Sequence, residues 1–210
     1  IWIGTEEGIL LKMNSNDKVI STYNVKRDIR SILEDNKSNY WICSSFKSTA
    51  LYNNKSGQIS DFQPFNGKLI NTAIKGKDNA VYFSLYGEGF ARYDMLLHSL
   101  KYINENTKFK SSSHLTNDWI NTMLCDKDGL IWIGHCNGLS CYDPYHNRFL
   151  NLDSSFPPIV CYALMQDKNG SIWIGTSNGL YEYSKRAKRF VHYGTENGLP
   201  NNVVCGLGQS

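Results

Sequence analysis

Long apolar runs are missing from this chain. No stretch approaches the ~20 residues a membrane-spanning helix needs, and no signal peptide opens the sequence. No segment repeats its apolar residues with the 3.6-residue period of an amphipathic helix, so an all-α or α/β architecture is excluded. Charge of one sign is scarce too: the formal net charge is +3, with Lys and Arg scattered, which leaves no basic stripe for nucleic acid. There is no C-x-x-C pair among the six cysteines, Cys43, Cys125, Cys136, Cys141, Cys161 and Cys205. They do not recur at one position of any repeat, so they read as free, mostly buried thiols behaving as small hydrophobes. Neither H-E-x-x-H nor G-x-S-x-G occurs, and none of the five histidines (His98, His114, His135, His146, His192) is spaced from a nucleophile or carboxylate as a known catalytic motif requires. The acidic turn "DKDG" at 126–129 lacks the remaining ligand positions of a calcium loop and reads as a hairpin turn. No metal, cofactor or catalytic residue is expected.

What is present is repetition. "IWIGTSNGLYEY" at 172–183 has a close copy in "IWIGHCNGLSCY" at 131–142, and the chain begins on "IWIGT". The anchor aromatics Trp2, Trp41, Tyr82, Trp132 and Trp173 are separated by 39, 41, 50 and 41 residues. Upstream of each later anchor lies an apolar pair three apart: Ile29/Ile32, Ile70/Ala73, Ile120/Met123 and Cys161/Leu164, with Val204/Leu207 beginning a further copy. A small residue sits just before the second member: Ser31, Thr72, Thr122, Ala163 and Gly206. Polar turns ("DNKSN", "GKDN", "DKDG", "DKNG") follow, of the kind Asx and Gly favour. Then come the anchor strand, a second turn, a strand ending in Tyr52, Tyr93, Tyr142 or Tyr183, and a last short aromatic strand.

Four short strands in a unit of about forty residues are the signature of a β-propeller blade. The expected fold is all-β: four-stranded antiparallel blades, with residues 1–210 forming part of one propeller. About five blades or part-blades fit; five could close into a ring, but both ends fall mid-blade, and part of a larger ring is favoured. The small residues suit inner strands that converge on an axis, and an anchor strand apolar on both sides suits a blade packed between two others.

The segments "TMLCDKDGLIWIGHCNGLSCYD" and "ALMQDKNGSIWIGTSNGLYEYS" resemble the two-component regulator propeller repeat: an inner strand, D-x-x-G, then L/I-W-I-G-T-x-x-G-L-x-x-Y. "YGTENGLPNNVV" at 193–204 resembles that family's connection between blades. The copy at 40–53 has lost both glycines, and the copy at 81–94 carries Tyr82 for Trp and one extra residue. The resemblance implies a seven-bladed ring within a periplasmic sensor region of a hybrid two-component system of the Bacteroides type. Such a region recognises a glycan-derived oligosaccharide, in a parent that is dimeric, anchored in the inner membrane and linked to a histidine kinase outside this piece. The alternatives are a propeller lyase of the streptogramin-lyase type, which needs a His and a metal, and a non-catalytic protein-binding propeller.

Ligands of propellers meet the loops on one face, so the site is sought in the segments that enter the inner strands and in the turns after the anchor strands. The entering segments offer amides, arginines and aromatics, chemistry suited to hydrogen-bonding a sugar and stacking on its flat face. The candidates are Arg27, Arg30, Asn71, Trp119, Asn121, Tyr162 and Asn202. His135 joins them because it replaces the Thr of the phrase at a position read as loop-facing. For each Asn the plainer alternative is turn-making. The expanded copy places extra residues within 101–119, where Lys108, Lys110 and a Ser-rich tip indicate a surface loop. Trp119, the one tryptophan outside the phrase, is either a stacking platform or packed beneath that loop.

Overall fold

The structure, a computed structural model, describes residues 1–44, 47, 49–109 and 113–208. Nineteen strands form five antiparallel sheets, one for each copy of the repeat. Blade 1 has three strands, β1 (Trp2–Gly4), β2 (Ile9–Met13) and β3 (Val19–Asn24). Blade 2 has β4 (Ser31–Glu34), β5 (Tyr40–Cys43), β6 (Ala50–Asn53) and β7 (Gln58–Asp61). Blade 3 has β8 (Ile70–Lys75), β9 (Ala80–Leu85), β10 (Gly89–Asp94) and β11 (Ser99–Ile103). Blade 4 has β12 (Ile120–Cys125), β13 (Ile131–His135), β14 (Gly138–Asp143) and β15 (Arg148–Phe149). Blade 5 has β16 (Cys161–Gln166), β17 (Ile172–Thr176), β18 (Gly179–Ser184) and β19 (Arg189–Tyr193). The anchor aromatics sit on β1, β5, β9, β13 and β17, the strands the repeat assigns them. Val204 and Leu207 form no strand, although the Val204 N–H bonds the Thr176 carbonyl at 2.9 Å.

The core lies between blades. Four apolar clusters are each shared by two neighbours. Leu10 and Ile29 meet Ile42 and Tyr52. Trp41 and Cys43 meet Val81 and Phe83. Tyr82 and Phe90 meet Ile133 and Tyr142. Trp132 and Cys141 meet Ile174 and Tyr183. The anchor strands β5, β9 and β13, each between two blades, therefore bury side chains on both faces, as their unbroken apolar runs require. Trp2 and Trp132 pack on tyrosines of the following blade, Tyr52 at 4.8 Å and Tyr183 at 5.3 Å. Trp173 stacks on Tyr193 of its own sheet at 5.7 Å.

At the glycine of the phrase the next inner strand comes close to the anchor strand. A Cβ on Gly134 would lie 2.7 Å from Thr122 Cγ2 and 2.8 Å from Cys161 Cβ, and one on Gly175 would lie 2.5 Å from the Val204 carbonyl oxygen. Gly4 has Ile29 in the same place. Only hydrogen fits where the next inner strand crosses.

The aspartate of the turn is the second fixture. Asp126 Oδ1 accepts the N–H groups of Asp128 (2.9 Å) and Leu130 (3.0 Å), while Oδ2 accepts the Trp132 indole N–H at 2.8 Å. Asp167 holds Trp173 the same way at 3.0 Å. In blade 2 the Asn39 amide takes Asp35 Oδ2 at 3.3 Å, and the Trp41 indole N–H finds no partner among the described residues. In blade 3 the acid has moved two positions, and the Tyr82 hydroxyl donates to Asp78 at 2.7 Å.

Candidate functional site

One end of the blades carries the turns after the anchor strands together with the segments that enter the inner strands. Backbone hydrogen bonds join them: Ile29 N–H to Thr5 O (3.1 Å), Ile70 N–H to Ser44 O (2.9 Å), Gly89 N–H to Asp118 O (3.1 Å) and Cys136 N–H to Trp119 O (3.0 Å). The inner strands start at this end, and three of them start on a bulge. The ladder breaks between Ile70 and Ala73, between Ile120 and Thr122, and between Cys161 and Ala163. The extra residues are Asn71, Asn121 and Tyr162, and Arg30 holds the same position just before β4. A bulge unpairs its extra residue and re-aims the side chain. Four of the sequence candidates are thereby one structural position repeated on neighbouring inner strands.

Their partners differ. Asn71 has no side-chain hydrogen bond among the described residues, and Tyr162 is 37% exposed. The Asn121 amide donates to the Cys161 carbonyl at 3.0 Å, which spends it on joining blades 4 and 5. Arg30 is exposed and bridges Asp28 and Glu6, each at 3.0 Å.

The remaining candidates separate. Trp119 is 47% exposed and stands edge-to-face on Tyr86, itself 51% exposed, with centroids 4.6 Å apart. The two are bridged strand-like, and the Trp119 ring lies over Gly87. Beside them opens a cavity of about 360 Å³ lined by Lys68, Glu88, Tyr102, Asn104 and Asp118. Burial raises the Asp118 carboxyl above the usual range. Tyr86 was not among the sequence candidates; its signal is the extra residue in the turn "YGEG". Arg27 is mostly buried and ion-paired with Asp61. The Asn202 side chain accepts the Thr195 N–H at 2.9 Å and shapes the connection after β19. Lys108 is exposed; Lys110, Ser111 and Ser112 lie outside the described residues.

His135 is not loop-facing. It ends β13 with no exposed surface, because its side chain turns into blade 4. Its Nδ1 accepts the Asn137 N–H at 3.3 Å, while Nε2 faces Thr116 Oγ1 (3.0 Å) and Ser140 Oγ (3.1 Å). With Nδ1 accepting, Nε2 carries the proton and donates, so the ring does not deprotonate Ser140. Burial lowers its pKa to about 4. No cluster of three His, Cys, Asp or Glu among the described residues is arranged to hold a metal ion.

The model of one sequence family, the two component regulator propeller, matches residues 114–137 and 155–178. Each match runs from the entering segment through the inner strand to the turn after the anchor strand of blades 4 and 5. Residues 114–137 and 155–178 are two-component regulator propeller repeats. No curated protein sequence matches it. Among solved structures, the repeats superpose on the extracellular domain of a putative hybrid two-component system from B. thetaiotaomicron, with TM-score 0.76 and 24% identity over 98% of this chain. This chain spans 28% of that structure's length. The type-IX secretion component PorZ of Porphyromonas gingivalis gives TM-score 0.79 at 15% identity, covering 99% of this chain and 34% of that one. Virginiamycin B lyase from Staphylococcus aureus gives 0.72 at 11%, covering 95% and 68%. At these identities the three share the propeller fold with this chain. No helix among the described residues is long and apolar enough to cross a membrane.

Proposed function

We propose that these repeats form part of the extracytoplasmic sensor region of a hybrid two-component regulator. The ligand is a glycan-derived oligosaccharide, and its occupancy is passed to a histidine kinase elsewhere in a dimeric parent anchored in the inner membrane. The periplasm is then the compartment, no bond is made or broken here, and nucleic acid is not contacted by this segment. The family of the repeats and the hybrid two-component neighbour support the sensor role. The observation that carries the ligand class is the half-exposed pair Tyr86 and Trp119 on the face where the inner strands begin. Large aromatics held open in a polar surround offer a sugar ring a flat apolar surface, and Asn71 and Tyr162 supply hydrogen-bonding groups at the same end. The burial and tautomer of His135 weigh against the lyase alternative. Calorimetric titration of the full chain with plant and host oligosaccharides tests the reading. A binder is expected whose affinity falls about tenfold or more in Trp119→Ala, some 1.4 kcal/mol. Uniform failure to bind, or unchanged affinity in both Trp119→Ala and Tyr86→Ala, overturns it.

A further inference from the structure

Blade 4 lacks half of its outer strand. In blade 3, β11 pairs with β10 from Phe90 to Asp94, and in blade 5, β19 pairs with β18 from Leu180 to Ser184. In blade 4, β15 pairs only with Tyr142 and Asp143. Leu150 still donates its N–H to the Cys141 carbonyl at 2.8 Å, and then the chain leaves the edge. Continued register would set residue 151 against Ser140 and 152 against Leu139. Antiparallel strands alternate their hydrogen-bonding side. Because Cys141 bonds outward, Leu139 also points its N–H and C=O outward, and no described residue outside the sheet bonds to them.

Among the described residues this place is open, one strand wide and walled. The ordinary outer strands β7, β11 and β19 face open solvent, whereas Leu139 is set back by one strand spacing, about 4.8 Å. A cavity of about 390 Å³ fills the notch, with Thr116, Ser140, Leu152, Phe156 and Pro157 in its lining. One wall is polar: the Thr116 and Ser140 hydroxyls, both held by His135. The other is apolar: Phe156, fixed edge-on to Tyr181 at 5.0 Å, with Leu152 and Pro157. Thr116 belongs to the segment before Trp119 and the apolar wall to the run 150–158, both of which depart from the repeat, while Ser140 belongs to β14.

We infer that this notch binds an extended peptide segment by strand addition, completing the outer strand of blade 4. One peptide residue exchanges two backbone hydrogen bonds with Leu139 and directs an apolar side chain toward Phe156. The residue before it, opposite Ser140, directs a hydroxyl or amide side chain toward Thr116. Main-chain bonds supply the affinity and the two unlike walls the alternation of side chains.

Amide NMR of the full chain with the blocked peptide acetyl-Val-Thr-Val-Thr-amide tests this. In the free chain the Leu139 amide should exchange with solvent faster than Leu180, its counterpart in the complete sheet. Peptide should shift Leu139 and Ser140 saturably and slow Leu139 exchange about tenfold, leaving Asn71 and Tyr162 unmoved. The same peptide N-methylated along its backbone should do neither. A Leu139 amide already as protected as Leu180, no shift at millimolar peptide, equal effects from the N-methylated peptide, or shifts confined to Asn71 and Tyr162 would each overturn it.

Discussion

At the scale of single residues, His135 shows how a departure from the repeat is absorbed. Thr176, its counterpart in blade 5, bonds the Gly179 carbonyl at 2.7 Å with no exposed surface. His135 fills the same buried place and finds Thr116 and Ser140 instead. The ring is neutral there because burial penalises the charged form and no carboxylate faces Nε2. Its pKa is about 4 in the folded chain against 6.5 for the ordinary imidazole. The unfolded chain therefore binds the proton first, and stability falls as pH drops from 6.5 toward 4, by up to about 3 kcal/mol from this group. Above pH 6.5 the contribution is complete. Denaturant titrations across that window should show the loss, and His135→Gln should flatten the part of the slope that this ring supplies. A wild-type and variant pair with identical pH slopes would refute the buried neutral ring.

Among elements, the crossing of an inner strand over the preceding anchor strand decides how blades stack. Gly134→Ala forces a methyl between the half-buried Thr122 side chain and the fully buried Cys161. Overpacking of this kind costs about 1–3 kcal/mol, so the urea midpoint should fall with little change in slope. Ala at Gly57, where nothing lies within 4 Å of the added carbon, provides the control: its loss should be smaller and come only from the positive φ of 71°. Equal losses at the two positions would mean that the crossing is not tightly packed.

For the whole molecule, the stack of blades sorts the thiols. All six cysteines are free; Cys43, Cys141 and Cys161 are buried, and Cys136 and Cys205 are exposed. Burial pushes the Cys43 and Cys161 thiols up to about 12. A thiol reagent at neutral pH should label two sites quickly, Cys125 slowly, and the other three only on unfolding. Rapid labelling of Cys141 or Cys161 would show that blades 4 and 5 separate readily. The repeat made this arrangement legible in advance. The spacing of Trp2, Trp41, Tyr82, Trp132 and Trp173 placed every anchor strand, because each blade must present the same two apolar faces to its neighbours. The site was less legible. Arg30, Asn71, Asn121 and Tyr162 could be named from their place after the entering segments, but a bulge is a mismatch between two strands and leaves no mark in either. Burial of His135, the pairing of Tyr86 with Trp119 and the missing half-strand beside Leu139 depend on groups distant in the chain. Local periodicity by itself determined blades, strand order and the packing aromatics, since those follow from which residues alternate along one strand. Which side chains stay open to a ligand was decided only by tertiary structure, because exposure is set by what the neighbouring blade brings against each position.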